Sequence, residues 1–230
     1  MKKIFIIWVI LILFLLRTTS CMENRKTPQN INEIALLYME QRYGIRFEYS
    51  EPWGNSLSGT REFLATSESL PNQQVFVQIE NFRDDDRIFR SNFLAVKHEA
   101  ETIYFLRNLT AQIFNEANVY YEAAHDGLSP SLPANATFYE FLADTCVPLN
   151  IMVEVRERSF TSREKVGALA ELIAASGAHF HLTVVIVDDD LFGTMNRQAL
   201  NWQISLRQFV YVASVTNRGL GMHIEWIGDE

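Results

Sequence analysis

The stretch that most constrains the fold is His179–Val187, which reads His-Phe-His-Leu-Thr-Val-Val-Ile-Val. Five of these nine residues are β-branched. Such side chains are stiff at χ1 and pack well on a pleated surface, so the run predicts a strand. It is apolar on both sides of the alternation at its C-terminal end, which a strand tolerates only when both faces are covered. The run is therefore expected at the centre of a sheet, with further strands on either side of it.

The remaining chain supplies those strands. Ile45, Phe47 and Tyr49 alternate with polar residues, as do 149–156, 202–206, 208–216 and 222–227. Residues 60–66 and 74–80, joined by a Pro71-containing segment, predict an antiparallel pair, and 119–123 a further strand. Asn217–Gly221 is the expected turn of a last hairpin. Helical spacing recurs in Ile31, Ile34, Leu37 and Tyr38, with Asn30 and Glu33 as capping residues and Gly44 as the stop. A second apolar stripe, Phe89, Phe93, Val96, Ala100, Ile103, Leu109, Ile113 and Ala117, predicts one long amphipathic helix over about 87–117. Asp84–Asp86 would then sit at its positive dipole end. A short helix is expected near 137–144, and Thr161-Ser-Arg-Glu164 has the form of a capping box before another. This mixture predicts an α+β fold: a mainly antiparallel sheet with the long helix and shorter helices packed on it. A regular β–α–β alternation with a glycine-rich first turn is missing from the pattern, which argues against a dinucleotide-binding fold.

The first residues carry a different message. Met1-Lys2-Lys3 is basic, and the thirteen residues Ile4–Leu16 are apolar without a charge. As a helix they rise about 20 Å, against a hydrocarbon core of about 30 Å. That length suits the central region of an export signal better than a membrane span. Thr18-Thr19-Ser20-Cys21 follows. A basic start, a short apolar run and small residues ending in Cys resembles the signal of bacterial lipoproteins, although Thr18 stands where that family usually has Leu. The resemblance implies that residues 1–20 are removed and that the Cys21 thiol carries a diacylglycerol. Two acyl chains hold a protein firmly to a bilayer, at about 0.8 kcal/mol per buried methylene. The alternatives are an uncleaved anchor lengthened by snorkelling of Lys2, Lys3 and Arg17, and a disulfide between Cys21 and Cys146. Residues 38–48, Tyr-Met-Glu-Gln-Arg-Tyr-Gly-Ile-Arg-Phe-Glu, also resemble the opening helix-turn-strand of uncharacterised lipoproteins from Firmicutes. The expected organisation is a signal peptide at 1–20, a lipid-anchored polar tether at 21–30, and a soluble extracytoplasmic domain at 31–230 with an internal boundary near 126–136.

Charge narrows the partners. The chain has 20 basic and 28 acidic residues, a net charge of −8. Removing Lys2, Lys3 and Arg17 with the signal leaves 17 basic against 28 acidic residues, or −11. Such a domain is poorly suited to neutralising phosphates, so nucleic acid is not an expected partner. The expected partners are the membrane, through the lipid anchor, and an envelope protein or small ligand.

Candidate sites are few. His179 and His181 lie two apart on one face of the central strand, and His223 lies on another strand with Glu225. Were the strands neighbours, His179, His181 and His223 could converge on a metal. Asp188-Asp189-Asp190 offers carboxylates for a hard cation, but without the spacing of a calcium loop it reads as a solvated turn. Trp53, between Pro52 and Gly54, is either a ligand anchor or a lid folded over apolar residues. Cys146 reads as a small buried hydrophobe. The sequence thus predicts a non-catalytic surface lipoprotein without a cofactor, anchored at Cys21 on the outer side of the cell membrane and binding through residues such as Trp53. The alternative is an envelope metalloenzyme using His179, His181 and His223.

Overall fold

The computed structural model describes residues 30–54, 59–83, 86–123, 132–144, 148–205, 209–217 and 222–227. Cys21 with the whole signal region, Cys146, Asp84 and Asp85, and the last hairpin turn lie outside the described residues. Contacts divide the chain into residues 1–34 and residues 35–230. The second unit runs through the boundary expected near 126–136. Among the described residues no helix is long and apolar enough to cross a membrane.

The first described element is helix α1, Ile31–Tyr43. Asn30 caps it as expected, its Oδ1 accepting from the backbone N–H of Asn32 at 3.0 Å and of Glu33 at 3.1 Å. Gly44 ends the helix at a φ of 69°, a left-handed conformation that favours glycine.

Residues 35–230 are α+β, built on two sheets. The first is an antiparallel meander, β1 (Glu48–Pro52), β2 (Arg61–Thr66), β3 (Val75–Glu80) and β4 (Ile88–Ser91), in that spatial order. Phe63, Val77 and Ser91 stand side by side across it. The second sheet has the order β5 (Ala117–Glu122), β6 (Leu149–Arg156), β7 (Phe180–Val187), β8 (Tyr211–Asn217) and β9 (Met222–Ile227). The strand expected at the centre of a sheet is β7, third of five, with Val184, Val185 and Ile186 fully buried. All pairs are antiparallel except β6–β7, which is parallel and connected through helix α5 (Glu164–Ala174). Val166, Leu169, Ala170 and Ile173 of α5 are buried, and α5 packs on β7 and β8. The helix starts at Glu164 with Arg163 at its cap position, so Thr161 does not serve as the expected capping residue.

The stripe predicted as one long helix over 87–117 is divided. Ile88–Ser91 is strand β4, Phe93–Lys97 is a short helix α2, and Glu99–Ile113 is helix α3. The reason is visible at Asn92, whose Oδ1 accepts the buried Phe76 N–H at 2.7 Å and turns the chain out of the sheet. A second break falls at His98, which lets α2 pack on β3 of the first sheet and α3 on β5 of the second. Helix formation therefore begins at Phe93, away from Asp86, and the dipole role expected for the aspartates does not apply. Of the stretch 202–206, expected as strand, residues 202–205 belong instead to helix α6, Arg197–Ser205, and 206 lies outside the described residues. Asn196 caps it through Oδ1 on the Ala199 N–H at 2.9 Å, and Leu200 and Ile204, one turn apart, pack on the sheet. Thr137 and Glu140 form a capping box on helix α4, Phe138–Leu142.

Candidate functional site

The five-stranded sheet has two unlike faces. One is apolar: Val153, Val184 and Ala213 lie in one row across β6, β7 and β8, all fully buried on the side that α5 covers. The other face changes character along the strands. At the C-terminal end of β7, Val185 and Val187 join Met152, Val212 and Leu200 in a core beneath α6 and the 188–196 loop. At the opposite end the face is polar. Register places Glu122, Asn150, His181, Thr216 and His223 in one row across all five strands. Thr183, Ser214 and Glu225 follow in the next row. Residues directly opposite share a face, so these side chains form one hydrogen-bonding surface. Asn150, His181, Thr183, Ser214 and Thr216 are half-buried, while Glu122, His223 and Glu225 at the flanks are exposed.

At the border between the two halves sits a carboxylate that the sequence reading passed over. Glu154 is fully buried on β6. Its Oε2 accepts from Asn118 Nδ2 at 2.8 Å and from the Tyr120 hydroxyl at 3.2 Å, and its Oε1 accepts from the Gly193 N–H at 3.1 Å. The Tyr120 hydroxyl also lies 3.0 Å from the Met195 carbonyl. Burial, with the nearby Glu154 charge, pushes the Tyr120 phenol up to about 12. Glu154 thus ties the 188–196 loop down onto β5 and β6. Gly193 reaches it at a φ of 73°, which a residue with a Cβ rarely adopts. The Arg156 guanidinium stacks on Phe192 at 4.7 Å and donates to Glu116 at 2.8 Å. Arg158 grips the same Glu116 with two bonds of 2.9 Å. That two-pronged grip, aided by Arg156, holds the Glu116 carboxyl at about 2, well below the usual range. The sequence signal for Glu154 was a single acid within the apolar run Leu149–Val155, on the strand side it shares with Asn150 and Met152.

The predicted site residues fare differently. His179 precedes β7, and its carbonyl accepts the Leu149 N–H at 2.8 Å. His181 lies on β7, its Nδ1 3.3 Å from the Thr216 hydroxyl. His223 is on β9, and β8 stands between it and His181. The two histidine strands are thus about 10 Å apart. Among the described residues no three His, Cys, Asp or Glu side chains come together to hold a metal ion, so His179, His181 and His223 are not assembled into the expected metal set. Asp188–Asp190 are exposed on a turn whose Asp188 carbonyl accepts from Leu191 and Phe192, with Asp189 3.8 Å from Arg158. Trp53 lies edge-on to Phe76 at 6.2 Å and is 42 % exposed. Phe76 forms a small buried cluster with Leu64 on the first sheet. An open cavity of about 670 Å³ lies beside that sheet, between Ile45, Arg46 and Glu48 on one side and Thr66 and Glu68 on the other.

The arrangement on the second sheet offers donors and acceptors in a fixed grid, with carboxylates at both flanks. It suits recognition of a polar ligand or protein segment through hydrogen bonds. No protein-family model matches the chain. No curated protein matches it either. Among solved structures, the fold has a distant likeness to a DUF5037 family protein from Ruminococcus gnavus, with a TM-score of 0.43 and 11% identity over 84% of this chain and 94% of that one.

Proposed function

We propose that the chain is a non-catalytic lipoprotein, anchored at Cys21 on the outer side of the cell membrane, whose α+β domain binds an envelope protein or small ligand. The observation that carries this reading is Met1–Cys21: a basic start, a thirteen-residue apolar run and small residues leading to a cysteine. Its length is short for a span and right for an export signal. The acidic balance of the chain fits a solvated domain better than one that docks on nucleic acid. The polar half of the second sheet is where this reading places the contact, because its side chains are half-exposed and held in register.

The test is the intact mass of the protein extracted from its own membranes, beside a Cys21→Ala variant. The expected result is loss of residues 1–20 together with a diacylglycerol-sized gain that the variant lacks. Unprocessed, unlipidated protein would overturn the anchor. For the binding face, a photo-cross-linking residue at Thr183 is expected to trap a partner that the same residue at Tyr104, 71 % exposed on α3, does not. Equal trapping at both positions removes the face from the reading, and turnover of an envelope substrate by the purified protein removes its non-catalytic character.

A further inference from the structure

The second sheet ends on β9, whose only neighbour among the described strands is β8. From His223 on its residues alternate between exposed and half-buried, and Met222 is 40 % and Ile227 41 % exposed. An edge strand presents a row of backbone donors and acceptors that another strand can pair with, and natural edges are usually shielded by Pro, Lys or a bulge. The first sheet does shield its edge: β1 carries a bulge between Tyr49 and Glu51 and ends on Pro52. Met222-His-Ile-Glu-Trp-Ile227 has none of these devices.

The sequence of β9 is complementary to itself. Two copies of one strand can pair antiparallel only about a two-fold axis normal to the sheet, which keeps like faces together and must pass through a residue position. Through Glu225 the axis would set carboxylate against carboxylate, and through His223 imidazole against imidazole. Through Ile224 it sets His223 against Glu225 of the second copy, twice by symmetry, and Met222 against Trp226 of the second copy, also twice. An imidazole facing a carboxylate and a thioether facing an indole are both favourable cross-strand pairs. Trp226 is already fixed in place, with the Arg163 guanidinium 4.8 Å above its ring and Phe160 6.0 Å away. Ile224 is held beneath α5, its Cδ1 close to Gly167.

We propose that β9 is a self-association edge: a second copy of this chain pairs with it antiparallel about Ile224, joining two five-stranded sheets into one of ten. The interface is isologous, as most homodimer contacts are. It does not depend on the lipid anchor, and its His223–Glu225 pairs lie at the β9 flank of the polar face of the sheet.

The register makes the test specific. In the full chain, Ile224→Cys would bring two thiols into directly opposed positions with Cα atoms about 4.5–5.5 Å apart, within disulfide reach. Mild oxidation is expected to give a reducible dimer well above that of the unsubstituted chain. His223→Cys and Glu225→Cys are expected to give none alone and a mixed dimer when combined. The register is overturned if Ile224→Cys gives no more dimer than the unsubstituted chain, or if all three variants cross-link alike. A second measurement needs no cysteine. Sedimentation equilibrium of the full chain is expected to show a monomer–dimer equilibrium that Glu225→Lys weakens about fivefold or more. The double exchange His223→Glu with Glu225→Lys again sets opposite charges across the axis and is expected to restore it. A chain that stays monomeric at all concentrations, as one whose edge serves a different partner would, overturns the proposal.

Discussion

A buried carboxylate is costly unless donors surround it, and Glu154 shows how the cost is met. Three donors from two segments converge on it, and each is itself fixed: Asn118 and Tyr120 by β5, and the Gly193 N–H by a left-handed turn. Glu154→Ala would leave these donors unpaired and is expected to lower stability by about 3 kcal/mol, measured by denaturant unfolding. Amide exchange across residues 188–196 is expected to speed up in the same variant, because the loop loses its tie to β6. Unchanged exchange there would mean that α6 and Phe192 hold the loop without Glu154. The acid was legible in the sequence as an interruption of an apolar strand. Its partners were not, since Gly193 lies 39 residues away and only the packed loop brings it within reach.

At the scale of elements, the divided helical stripe is the clearest case of tertiary structure overriding a pattern. Phe89, Phe93 and Val96 fit a helical period, yet Ile88–Ser91 pairs with β3 as a strand. Asn92 decides between the two by bonding the Phe76 N–H. Asn92→Ala leaves that buried donor unpaired and is expected to cost about 1–3 kcal/mol, read from the shift in the denaturation midpoint. The turn between α3 and β5 depends on charge instead. Glu116 is held at about 2 against an ordinary value of 4.5, chiefly by Arg158 and then by Arg156. A depressed carboxyl contributes stability above its unfolded value and loses it as pH falls toward the folded one. The stability difference between the protein and Glu116→Gln is therefore expected to be constant above about pH 4.5 and to shrink toward pH 2. A difference that persists unchanged at pH 2 would show that the ion pairs are not its source.

For the whole molecule, the two sheets are connected by α2 and α3, which run on from one another with a single break at His98. His98 is buried there, its ring stacked on Phe141 at 5.5 Å and its Nε2 3.2 Å from the Ala136 carbonyl. Such a junction couples the sheets, so residues 35–230 are expected to unfold as one cooperative unit. Val184→Ala, at the centre of the second sheet, is expected to cost about 2 kcal/mol. Fluorescence of Trp53, on the first sheet, is expected to shift its unfolding midpoint in step with Trp226, on the second. Two separate midpoints would show that the break at His98 lets the sheets unfold independently.

The sequence alone determined the α+β class, the central strand, the cap at Asn30 and the glycine stop at Gly44. Each of these follows from side-chain stereochemistry over a few neighbouring residues. What only the tertiary structure decided was which strands are neighbours. That choice placed β8 between the histidines, put Trp53 beside Phe76, and turned Glu154 into an anchor. Strand order depends on contacts between residues far apart in the chain, and local periodicity carries no record of them.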